Sequence, residues 1–184
     1  MPHSIQTSQW VPFPVELVFA FFANPANLPH LMPTWQKARL ESSHLLAPPI
    51  RPLAGDPALR YRSPAAGTGS EITLSFRPVR SLPFRITWLG RITEFTWNSH
   101  FLDEQVEGPF AHWKHCHRIV TETREEVAGT SISDEVEYDL PLGPVGSFGN
   151  TLFVRRQIQS TFAFRARRLA EVLPIAARQA AKRS

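Results

Sequence analysis

The sequence predicts an α+β fold in which a curved antiparallel sheet carries one long helix across it. Three observations predict it. Strand-like stretches rich in β-branched and aromatic residues fill most of 70–140, a strand and short helices precede them, and one long helical stretch follows. The strands are joined by short turns, so neighbours should pair antiparallel. With 184 residues, the chain suits a single domain, expected over 1–175, with a basic, disordered tail over 176–184.

Each element follows from local chemistry. "SIQTSQWV", 4–11, suits a first strand. Pro14 stands well at a helix start because it has no N–H to lose there. Val15, Val18, Phe19 and Phe22 recur at helical spacing, so an amphipathic helix is expected over 15–23. Pro25 ends it, and a helical turn follows over 27–31. A strand is expected within 37–46. Five prolines and three glycines make 47–69 a long loop, with one short strand near 59–62. Strands follow over 70–78, 84–98, 100–106, 111–123 and 131–140. Gly90 marks a bulge in the second of these, and "REEVAGTS" supplies a hairpin turn with Gly129 near its end. "PLGPVG", 141–146, is turn chemistry leading into the long helix. That helix runs to about residue 180, interrupted or bent near Pro174, with an apolar line of Val154, Ile158, Phe162, Leu169 and Val172.

Charge is unevenly placed. From Arg155 onward eight basic residues face one acid, and the remainder is slightly acidic. No nucleic-acid motif accompanies the basic segment, which reads as a solvated helix face. The only cysteine, Cys116, excludes an internal disulfide framework. The N-terminal residues lack the basic and apolar regions of a secretion signal. No window reaches the ~18 consecutive apolar residues of a membrane span. A soluble, cytoplasmic protein is therefore expected, without nucleic acid or membrane insertion.

The stretch "GPFAHWKHCHR", 108–118, concentrates three histidines and the cysteine. Side chains alternate across a strand, so Trp113, His115, His117 and Ile119 share one face. His112, Lys114, Cys116 and Arg118 share the other, which their charges mark as the wetter one. In the last strand Ser133, Glu135, Glu137 and Asp139 should face water, which turns Ile132, Asp134, Val136 and Tyr138 inward. Phe101, Asp103 and Gln105 are placed inward by Phe101. Two histidines thus point to an interior, where they need partners; Asp103 and Asp134 are the candidates.

These residues resemble a known pattern. "QWVPFPVELVFAFFANPANLPHLMP" is similar to the first strand and helix pair of the SRPBCC, or START-like, superfamily, which includes lipid carriers, pollen-allergen relatives and polyketide cyclases. Asp103/Gln105, Gly108–Phe110, Trp113/His115/His117, Gly129–Thr130, Asp134/Val136/Tyr138 and Pro141–Gly143 resemble the elements of a bacterial ligand-binding subgroup. The resemblance reaches residue 173. It implies a helix-grip fold with a ligand cavity between sheet and C-terminal helix. The chain departs from the subgroup at Ile119, where an aromatic is expected, and in the Pro-rich 47–69 segment at the rim.

The expected function is binding of a small hydrophobic molecule, such as a lipid, polyketide or aromatic metabolite. Apolar area would drive uptake. Phe22, Phe101, Trp113, Val136, Tyr138, Phe148, Leu152 and Phe162 are the expected apolar contacts, with Phe19 and Leu31 as further liners. Asp103, Gln105, His115, His117 and Asp134 would orient the ligand. The alternative is a cyclase or dehydratase in which His115 or His117, oriented by Asp103 or Asp134, acts as general base and Tyr138 or Trp113 donates to an enolate. His-x-His is also a weak metal signal without a companion motif, so no metal and no cofactor are expected.

Overall fold

A computed structural model describes residues 3–52, 63–141 and 147–181, and within the last segment the side chains of 153–179. Seven strands form one antiparallel sheet: β1 (His3–Val11), β2 (Arg39–His44), β3 (Glu71–Phe76), β4 (Ile86–Thr96), β5 (His100–Glu107), β6 (His112–Arg124) and β7 (Val127–Asp139). The spatial order is β1-β7-β6-β5-β4-β3-β2. Strands β2 to β7 therefore meander, and β1 closes onto β7. Helix α1 (Val15–Ala23) and two 3-10 turns (Pro25–Leu31 and Thr34–Gln36) connect the two edges of the sheet. Helix α2 (Ser147–Ala181) lies across the inner face. This is the helix-grip architecture, as the sequence predicted.

Pro14 starts α1, its carbonyl accepting from the amides of Leu17 and Val18. Asn24 ends it and caps the next turn, its Oδ1 accepting from the Ala26 amide. Helix α1 buries more of its circumference than an amphipathic helix does, Leu17 and Phe21 included. Described residues at both ends of the Pro-rich segment pack against it. The Ala66 amide donates to the Ala23 carbonyl at 2.9 Å, and Arg51 Nη2 donates to the Glu16 carbonyl at 2.7 Å. The short strand expected near 59–62 lies outside the described residues.

The expected bulge at Gly90 is present as a register shift between Leu89 and Gly90 against β5. The expected hairpin turn falls within REEVAGTS, but it is tighter than that stretch and excludes Gly129. The turn is Glu125–Glu126, both at positive φ (48° and 64°), with Arg124 opposite Val127. That is a two-residue connection whose backbone twist matches the flanking strands. Gly129 sits inside β7 for another reason. A Cβ there would come within 2.5 Å of both the Trp10 ring and the Val11 carbonyl. Trp10 lies over this position with its Nε1 donating to the Glu122 carbonyl at 3.0 Å. Gly129→Ala should therefore lower stability by about 1–3 kcal/mol; urea unfolding followed by tryptophan fluorescence measures it.

The helix α2 is continuous through Pro174 to Ala181, so of the expected interruption or bend the interruption is absent. Leu173 and Ala176 are buried on either side of the proline, and packing holds the helix together there. The expected domain boundary at 175 thus falls inside α2; residues 182–184 and the PLGPVG residues 142–146 lie outside the described residues.

Candidate functional site

The core divides into two apolar clusters, and a polar layer separates them. One cluster joins α1, β3–β7 and the end of α2, with Phe19, Leu74, Ile119, Ile132 and Leu169 among its members. The other holds Ile5, Val136, Tyr138, Ile158 and Phe162. Three elements cross from one cluster to the other, and each places a polar residue at the crossing. In β7 it is Asp134, between Ile132 and Val136. In β6 it is His115 and His117, between Trp113 and Ile119. In α2 it is Arg165, between Phe162 and Leu169. Strand and helix periodicity put each polar residue on the same face as its apolar neighbours. β5 adds Asp103, opposite His115.

Asp134 Oδ1 is the hub. It lies 2.7 Å from His117 Nδ1, 3.1 Å from His115 Nε2 and 3.6 Å from Arg165 Nη1. On the far side of the imidazoles, Asp103 Oδ2 lies 3.4 Å from His117 Nε2 and 3.5 Å from His115 Nδ1. The two imidazole rings are 3.8 Å apart. Phe101 stacks on His117 at 4.3 Å, and Phe162 meets His115 edge-on at 5.4 Å. The Arg165 guanidinium sits over the Phe22 ring at 4.7 Å. All five polar residues of the layer are nearly excluded from water.

Two imidazoles this close do not both carry a proton charge. Burial works against charge on His115, and neighbouring His117 adds to that, so its pKa is lowered. Burial also opposes charge on His117, but its bonds to Asp103 and Asp134 outweigh this and raise its pKa. The proton thus belongs on His117, which makes the shorter bond to Asp134. For Asp134 itself, burial disfavours the anion; Arg165 and the two imidazole donors overcome it and hold the carboxyl well below its ordinary range.

A cavity of about 420 Å³ opens beside this layer, between sheet, α2 and the 3-10 turns. Of the residues expected to contact a ligand, Phe22, Phe101, Asp103, Trp113, His115, His117 and Phe162 border it, as does Leu31. Others do not. Val136 and Tyr138 are wholly buried beneath α2 in the second apolar cluster. Phe19 is wholly buried in the first, against Phe95, Trp97 and Phe101. Gln105 holds the β5–β6 loop, its Nε2 donating to the Phe110 carbonyl at 2.8 Å. Asp134 faces the outer side of the imidazoles and borders a smaller cavity instead. The side chains of Phe148 and Leu152 lie outside the described residues. Cys116 is on the outer face, opposite Leu102 and Glu135, and burial pushes its thiol pKa up.

Sequence reasoning missed Arg165 and Trp88. Arg165 follows Phe162 by three and precedes Leu169 by four, so helical periodicity alone places it on the buried face. Trp88 faces the cavity two residues before Gly90, and its ring meets Trp113 edge-on at 5.9 Å.

A family model described as "Polyketide cyclase / dehydrase and lipid transport" matches residues 11–162. The chain belongs to that family. The match covers α1, the first part of α2 and every strand except most of β1, and it agrees with the START-like resemblance of the sequence. A comparison with curated proteins gives no match. Solved structures share the fold of this polyketide cyclase/dehydrase family member. TTHA0849 from Thermus thermophilus is similar with a TM-score of 0.57 at 17% identity, over 95% of this chain and 99% of that one. Ara h 8.0201 gives 0.58 at 11% identity, over 94% and 98%. Major latex-like protein 151 from Panax ginseng gives 0.58 at 10% identity, over 92% and 96%. Among the described residues, no helix is long and apolar enough to cross a membrane.

Proposed function

We propose that the chain binds a small hydrophobic molecule, of lipid, polyketide or aromatic type, in the 420 Å³ cavity. Its size lies within the range of small-molecule sites, and its wall is mostly apolar with a few polar groups. One observation carries the reading. Among the described residues, five buried polar atoms of cavity-bordering residues have no hydrogen-bond partner: Gln36 Oε1, Trp88 Nε1, Asp103 Oδ1, Trp113 Nε1 and Arg165 Nε. An unsatisfied buried polar group costs about 1–3 kcal/mol. Small rotations of these side chains toward the cavity would give such groups partners on a ligand with an apolar body and a few oxygen or nitrogen functions.

Native mass spectrometry of freshly expressed protein, before and after denaturing extraction, tests this. The expected result is a co-purified hydrophobic molecule. Gln157 borders the cavity from α2 and is only half-buried. Gln157→Trp should therefore fill the space and reduce the bound fraction at least about tenfold, since an occupied volume leaves no apolar contact to gain. Cys116→Ser, on the outer face, should change nothing. A folded protein that never carries or takes up an apolar ligand would refute the reading.

A second reading is catalysis of the cyclase or dehydratase kind. Its support is His115, which is neutral and borders the cavity, as a general base needs. Trp113 would then be the donor, because Tyr138 does not border the cavity. Turnover of polyketide substrates, lost in His115→Ala without loss of fold, supports it.

A further inference from the structure

The geometry points to a divalent transition-metal site formed by Asp103 Oδ2, His115 Nδ1 and His117 Nε2, opening onto the cavity. The spacing of two histidines in one strand argued little for it; the placement of the two carboxylates argues for it strongly. On the Asp134 side the contacts, 2.7 and 3.1 Å, are hydrogen bonds. On the Asp103 side they are 3.4 and 3.5 Å, longer than ordinary hydrogen bonds. Donors held at 2.0–2.1 Å around a tetrahedral ion stand about 3.3 Å apart, which is close to the Asp103 spacing. The donor atoms of all three residues lie within 4.8 Å of one another.

Proton placement points the same way. Asp134 is an acceptor, so the ring protons it binds sit on His115 Nε2 and His117 Nδ1. The ring positions turned toward Asp103 are then His115 Nδ1, which holds a lone pair, and His117 Nε2, whose proton an incoming metal ion would displace. A carboxylate oriented behind ligating histidines is the common outer partner of a metal site, because it fixes the tautomer and strengthens the imidazole as a donor. Arg165 borders both cavities, and its guanidinium lies 3.6 Å from Asp134 Oδ1 and 3.3 Å from His117 Nδ1, the ring nitrogen turned away from Asp103. It balances the second carboxylate without entering the donor triangle. Among the described residues, Asp103 Oδ1 has no hydrogen-bond partner.

The division between the cavities completes the case. Asp103, His115 and His117 border the large cavity and Asp134 does not. Three protein donors leave coordination positions open toward whatever occupies that space. Two imidazoles with one carboxylate suit zinc, iron, nickel or copper better than magnesium or calcium. The ion would present a Lewis acid to an oxygen function of a cavity ligand. The site stands apart from the hydrophobic-ligand reading, since a metal can bind an otherwise empty cavity.

The test uses the full chain without an affinity tag, stripped with EDTA and titrated with ZnCl2, read by calorimetry and native mass spectrometry. One zinc per chain is the expected stoichiometry. Asp103→Asn, which removes a donor, and Asp134→Asn, which removes the outer carboxylate, should each weaken binding more than about tenfold. Cys116→Ser should bind as wild type does. Absence of stoichiometric zinc in folded wild type, or an unchanged affinity in folded Asp103→Asn, overturns the site. If the variants do not fold, cobalt(II) added to wild type decides. Visible d–d bands of a low-coordinate nitrogen and oxygen set uphold the site; the spectrum of the hydrated ion, or a thiolate band from Cys116, overturns it. Neither measurement needs a hydrophobic ligand, so failure here is distinguishable from failure of ligand binding.

Discussion

Asp134→Asn in metal-stripped protein should lose about 3–5 kcal/mol of stability, because removing one partner leaves buried charge uncompensated. Asp134 Oδ1 meets His115, His117 and Arg165 together. Asparagine keeps the shape but leaves Arg165 and a protonated His117 facing each other without an anion. The substitution should also change the pH profile. A carboxyl whose folded pKa is depressed stabilises the fold above its unfolded value, about 3.9, and loses that contribution as pH falls through the folded value. Wild type should therefore weaken below about pH 4 by a component that the variant lacks. The imidazoles act in opposite senses nearer neutrality. His117, raised, contributes fully below about 6.5 and loses its contribution as pH rises through its folded value. His115, lowered, contributes above about 6.5 and loses its contribution as pH falls through its folded value. Urea midpoints measured from pH 3 to 9 for both proteins check all of this; equal midpoints across that range would contradict the assigned hub.

Phe19→Ala and Phe22→Ala should behave differently although the two residues are three apart on α1. Phe19 is wholly buried among Phe95, Trp97 and Phe101. Its truncation leaves a void in close-packed surroundings and should cost about 3–5 kcal/mol. Phe22 is half-buried, borders the cavity and carries the Arg165 guanidinium over its ring. Its truncation enlarges space that already exists, so the stability loss should stay under about 2 kcal/mol. Binding of a fluorescent apolar probe should change in Phe22→Ala and keep its affinity in folded Phe19→Ala. A small stability loss at Phe19, or a large one at Phe22, would reverse the assignment of core and cavity wall.

Much of the site was legible from the chain because strand faces depend on a period of two. Trp113, His115, His117 and Ile119 point inward, as do Asp134 and Phe101, and none of this needs a tertiary coordinate. The same rule separated Cys116 from the histidines. A curved antiparallel sheet crossed by one long helix followed from element order and short turns, and the resemblance to START-like proteins implied the helix-grip arrangement. Three features escaped. Charge groups Arg165 with the solvated arginines of α2, although its register puts it under the sheet. Their inward face predicts Val136 and Tyr138 as cavity wall, but α2 covers that part of the face. Gly129 looked like a turn residue, while its requirement is the Trp10 ring across β1 and β7.

The amino-acid order by itself determined the strands, their inner and outer faces, and which histidines and carboxylates share the interior, since backbone alternation acts within a few residues. Only the packing of α2 and the 3-10 turns decided which inward residues meet an open space and which meet another side chain. That partition depends on how far the sheet and helix stand apart at each register position. Such a distance is fixed by side-chain volumes from segments far apart in the chain, and no local period encodes it.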